Sequence, residues 1–94
     1  MTEKLEFMPY AQAHIERNPN AIVLVSYSTA VAAIIGGQLI CNGLYSATTR
    51  RHIGAFCKQF GTTYQVAKKC FTDKKQYDIV TGEFSPVLLK EFII

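Results

Sequence analysis

Apolar and polar positions change period several times along this chain. Residues 3–17 place Met8, Ala11 and Ile15 at i, i+3 and i+7, with Pro9 in a first turn, and this predicts a weak helix. Asn18–Pro19 ends it, because the residue before a proline is pushed out of the helical region. The next stretch, AIVLVSYSTAVAAII over residues 21–35, is rich in Val and Ile and predicts strand, with a buried helix as the alternative. Its polar break at Ser26, Ser28 and Thr29 predicts a bend or bulge within one bent strand. Gly36–Gly37 predicts a two-residue hairpin turn, with QLICNGLY returning as the partner strand.

A helical period follows. Ser46, Thr48 or Thr49 caps a helix over 48–60, in which Ile53, Phe56, Cys57 and Phe60 form one apolar stripe. Gly61 is a natural stop. Arg50, Gly54 and Lys58 fall on the opposite side with Arg51 beside them, so the arginines point outward once the stripe is buried. Residues 63–71 read as a short strand, with a turn of helix as the alternative. Asp73 and Gln76 have capping-box spacing, and KKQYDIVTG reads as a short helix closed by Gly82, with Tyr77 and Val80 facing inward. The stretch SPVLLKEFII is apolar to its last residue and needs a surface to cover, in its own core or on a neighbour. The fold class expected is α+β, a single domain over 1–94. Its antiparallel sheet has three to four strands, with one main amphipathic helix packed on it and short flanking helices.

Composition adds bounds. The chain is 49% hydrophobic and 18% charged, a globular balance, and a domain this small is marginal in stability without help from a partner subunit. Val87, Leu88, Leu89, Phe92, Ile93 and Ile94 are therefore expected to form a homodimer or small-oligomer interface. No apolar run approaches the roughly 20 residues of a membrane span. The opening MTEKLEFMPY lacks the order of a secretory signal. A cytoplasmic protein without a membrane partner is expected. Cys41, Cys57 and Cys70 are odd in number and widely spaced, which predicts buried, reduced thiols rather than disulfides or a metal site. No cofactor is implied.

Charge is unevenly spread. Residues 46–75 hold Arg50, Arg51, Lys58, Lys68, Lys69, Lys74 and Lys75 against Asp73 alone, a local balance of +6, while the remainder sums to −3 within the total of +3. A basic middle suits an anionic partner, and equally a solvated face. No phosphate loop, dinucleotide fingerprint, metalloprotease motif or nucleophile elbow occurs. His52 and Cys57 are five apart on one helix and point about 140° apart, so they form no nucleophile–base pair. A non-enzymatic role is expected. Tyr45 and Tyr64 are candidates to stack on a base, or ordinary half-buried aromatics. His52 sits in a first helical turn beside two arginines, where like charge and the helix N-terminus lower its proton affinity. A neutral His52 is expected, hydrogen-bonded to Tyr45 or Tyr27, with partner contact as the alternative.

The pattern of Tyr27, Thr29, Val31 and Ala32, a glycine hairpin, then Tyr45, Ser46, Thr48, Thr49, His52 and Ile53 resembles an uncharacterised family of small bacteriophage-encoded proteins. Its members share a Tyr-x-Thr-x-Val-Ala strand and a Tyr-Ser-x-Thr-Thr-x-x-His-Ile helix start. The resemblance implies a virus-derived chain acting in a bacterial cytosol and carries over no catalytic residue. The function expected is an accessory protein that binds a host protein or protein complex, to inhibit a defence system or redirect host machinery. The alternative is a nucleic-acid-binding protein using the basic 50–75 face.

Overall fold

Asn18 shows how the chain begins to fold. Its Oδ1 accepts hydrogen bonds from the backbone N–H of Asn20 and of Ala21, both at 2.9 Å, so Pro19–Asn20 becomes a tight turn between two strands. The computed structural model describes residues 2–44 and 46–87. Strands β1 (Thr2–Lys4), β2 (Ala13–Asn18), β3 (Ala21–Ser26), β4 (Thr29–Ile35) and β5 (Gln38–Cys41) precede helices α1 (Ala47–Gln59) and α2 (Tyr64–Asp73). Strands β6 (Lys75–Asp78) and β7 (Phe84–Pro86) follow. All pair antiparallel in chain order, β1 to β7, so the described residues form one seven-stranded meander.

The architecture remains mixed α and β, but it corrects the expected one of three to four strands, one main helix and short flanking helices. Four segments account for the difference. Residues 3–17 are two strands and a loop, because 13–18 also alternates with period 2 and pairs along its length with β3. Residues 21–35 are a hairpin rather than one bent strand: Ser26 pairs with Thr29 around a turn at Tyr27–Ser28, and the register shift lies beside it between Leu24 and Val25. Residues 63–71 are helix, begun by Thr63, whose Oγ1 accepts from Val66 N–H at 3.3 Å, with Ala67 and Cys70 buried. KKQYDIVTG is strand and turn. Lys74 takes a left-handed φ of 54° that reverses the chain out of α2, and Asp78 Oδ1 accepts from Val80 and Thr81 N–H. Tyr77 does pack on the core, whereas Val80 is 86% exposed.

Other expectations hold. Gly36 and Gly37 adopt φ of 58° and 79°, a backbone that favours glycine. Ser46 is the cap of α1, its Oγ accepting from Thr49 N–H at 3.1 Å. Ile53, Phe56 and Cys57 are buried, and Phe60 packs beside them against Leu5, Ile15, Leu24, Ile34 and Leu39. Both helices lie on one face of the sheet, touching β3 to β6. Gly54 faces α2, where a Cβ would meet that of Tyr64 at 3.7 Å. The three thiols are free and buried. Burial pushes them up, Cys41 to about 11 and Cys57 and Cys70 to about 12.

Candidate partner-binding surface

The helix layer carries the cations at its outer surface. Helix α1 has no acidic residue in its first turn, and Arg50, at the end of that turn, and Arg51 after it are both exposed. Arg50 is partly occupied: its Nε donates to the carbonyl of Leu44 at 3.0 Å, tying the incoming loop to the helix. Lys58 sets its Nζ 4.5 Å from the ring centroid of Phe7, a cation–π distance. Lys68 on α2 is exposed. Lys69 pairs with Asp73 at 3.0 Å and lies 5.5 Å from the Phe84 ring. Lys74 is exposed at the end of α2, while Lys75 is half-buried in β6. Arg50, Arg51 and Lys58 are thus carried by α1, Lys68 and Lys69 by α2, Lys74 stands at the end of α2 and Lys75 lies in β6. Tyr45 lies outside the described residues, as do Leu88, Leu89, Phe92, Ile93 and Ile94; Val87 is described and half-buried.

His52 is placed differently from the arginines. It is 1% exposed, and its Nδ1 lies 2.8 Å from Ser26 Oγ. Ser26 Oγ lies 3.1 Å from Thr49 Oγ1, and Ser46 Oγ donates to Thr49 Oγ1 at 3.3 Å. One donor direction runs Ser46, Thr49, Ser26, His52 Nδ1, and it requires a neutral ring protonated at Nε2. Burial lowers the His52 pKa below its ordinary value; the arginines are not the cause. Its hydrogen bond goes to Ser26 rather than to a tyrosine, while the Tyr27 ring packs at 5.8 Å. His52 is thus largely buried, with Ser26 rather than a tyrosine at its Nδ1.

Four exposed aromatics among the described residues escaped the sequence reading as surface groups, Phe71 on α2 and three at one end of the molecule. Tyr10 is 94% exposed, Tyr27 56% and Phe7 48%. The turn bearing Tyr27 and the Leu5–Gln12 loop are joined by Tyr27 N–H donating to Gln12 carbonyl at 2.7 Å, and Glu6 N–H donates to Gln59 of α1 at 2.9 Å. Loop, turn and α1 form one end of the molecule. Tyr64, expected as a stacking candidate, is half-buried near Gly54. Tyr27 has φ of 58°, at the first turn position of a two-residue hairpin loop, where glycine is favoured. The polar break at Ser26, Ser28 and Thr29 signals a bend, but Tyr-Ser lacks the Gly or Asn that would signal a positive φ.

A shallow groove opens at the other end, lined by turn residues 18–21 and Gly36–Gly37 with Arg17, Ile34 and Ile79. These lining residues include neither a carboxylate nor a nucleophile. Among the described residues, no three or more of His, Cys, Asp and Glu are grouped as a metal set. No helix among them is long and apolar enough to cross a membrane.

The fold defines a class: a small mixed α and β protein built, among the described residues, on one antiparallel meander with two helices on one face. Within that class, the chain belongs to a family of unknown function (DUF8033), whose profile matches residues 2–76. No curated protein and no solved structure matches it.

Proposed function

We propose that this protein acts by binding, without turnover, and that its helix-side surface takes a single-stranded nucleic acid. Tyr27 carries the reading. A tyrosine held more than half exposed at a left-handed φ is a locally costly choice, and such outliers cluster at functional sites. It packs 5.8 Å from buried His52, which follows the exposed Arg50 and Arg51 on α1. Aromatic faces interleaved with cations are what a single strand needs: stacking at about 1–3 kcal/mol per base and neutralised phosphates.

The test is anisotropy of a fluorescein-labelled oligothymidine titrated at several salt concentrations. Binding should weaken with salt. Tyr27→Asn, which tolerates the same backbone, should weaken it about 5- to 100-fold, on the order of one lost base stack. Absent binding, or binding indifferent to Tyr27→Asn, overturns the assignment. A second reading rests on the same composition, because exposed Tyr and Arg also anchor protein interfaces. In that reading the chain is a phage-derived accessory protein in a bacterial cytosol that engages a host protein. Capture from lysate that survives nuclease, with no affinity for the oligonucleotide, is its signature.

A further inference from the structure

Tyr27 and Phe7 meet α1 at two different heights. The Tyr27 ring packs 5.8 Å from that of His52. The Leu5–Gln12 loop reaches the helix two turns further on, where Glu6 N–H donates to Gln59 Oε1 at 2.9 Å and Lys58 Nζ lies 4.5 Å from the Phe7 ring centroid. His52 and Gln59 are seven residues apart, so they leave the helix within about 20° of one another, about 10 Å apart along its axis. Arg51 and Lys58 are also seven apart, both exposed, and form a second line beside the first. Each ring therefore has a cation on the neighbouring line. Tyr10, 94% exposed, lies on the same loop before the Gln12 carbonyl that accepts from Tyr27 N–H. Glu6 is the loop's one carboxylate, so with Arg51 and Lys58 the strip stays positive.

We propose that Phe7 with Lys58 is a second base-stacking platform, and that a single strand lies along α1 from Tyr27 and Arg51 to Phe7 and Lys58. The proposal rests on single-strand binding at Tyr27 and adds the path of the strand and the length it needs. Stacked bases advance about 3.4 Å per nucleotide, so about 10 Å is three steps, and a strand of about four nucleotides touches both platforms. Phe7 is 48% exposed although Lys58 lies over its ring, so ring surface remains for a base, with an ammonium at hand for a phosphate. A repeat of one ring and one cation matches a polymer whose repeat is one flat base and one phosphate.

The test compares fluorescein-labelled oligothymidines of two and eight nucleotides by anisotropy at low salt. Phe7→Ala should weaken the eight-mer about 5- to 100-fold, on the order of one lost stack. It should weaken the dinucleotide by no more than about twofold, because the dinucleotide needs one platform and Tyr27 still supplies it. Phe7→Tyr keeps a ring and should bind the eight-mer like the unaltered chain, which separates lost stacking from a damaged loop. An eight-mer loss below about fivefold in Phe7→Ala, an equal loss in Phe7→Tyr, or an equal loss at both lengths overturns the proposal. If Tyr27→Asn still weakens the eight-mer in those cases, single-strand binding itself stands. If the unaltered chain binds neither length, both readings fall together.

Discussion

Ser26→Ala isolates the buried hydroxyl chain that fixes α1 to the β3–β4 hairpin. The substitution removes one oxygen and two contacts, 2.8 Å to His52 Nδ1 and 3.1 Å to Thr49 Oγ1. Thr49 keeps Ser46, so the main orphan is the buried imidazole nitrogen. An unsatisfied buried polar atom costs about 1–3 kcal/mol. For a domain of this size each kcal/mol moves Tm by about 4–8 °C, so a central value of about 2 kcal/mol predicts a fall of about 8–16 °C. The assay is urea unfolding followed by circular dichroism at pH 7.5, with Ser26→Ala, His52→Leu and the double variant. The double variant leaves neither partner unpaired and should recover about 1–2 kcal/mol relative to the sum of the single changes. A single-variant loss below about 0.5 kcal/mol, at unchanged m, would refute the reasoning. So would simple additivity, since it means the two side chains do not share a buried bond.

Stability should also fall with acidity through His52. Its folded pKa lies below the unfolded value, so the unfolded chain binds more protons as pH drops through about 6.5, and stability present above that pH is progressively lost. Melting curves from pH 8 to 5 should show this, and His52→Gln should flatten it; an unaltered slope contradicts the assignment. Arg51→Glu, free of the Leu44 tie that Arg50 makes, should keep the fold and reduce the oligonucleotide salt slope by about one. An unchanged slope removes Arg51 from the surface. Lys74→Gly should raise stability by about 0.5–1 kcal/mol, because the left-handed C-cap at φ 54° favours glycine; a lower Tm argues against it. The thiols should resist a disulfide-exchange reagent at pH 8 until the chain unfolds, their pKa values being about 11 to 12, and fast native labelling would place at least one of them at the surface.

What the sequence determined by itself is what local chemistry determines. Paired glycines set the β4–β5 turn, Ser46 caps α1, and the spacing of Ile53, Phe56, Cys57 and Phe60 defines the buried stripe and so the outward aim of Arg50 and Arg51. The tertiary structure decided the rest. Residues 13–18 and 75–78 are strands because neighbours supply their hydrogen bonds and one face is buried; segments this short satisfy the helical and the strand period alike. Residues 64–73 are helix because Ala67 and Cys70 find the sheet beneath them, a fact no propensity encodes. Tyr27 accepts a left-handed turn because pairing from Ser26 to Thr29 forces it. His52 is buried because Ser26, far away in sequence but adjacent through the fold, offers the partner that makes burial affordable.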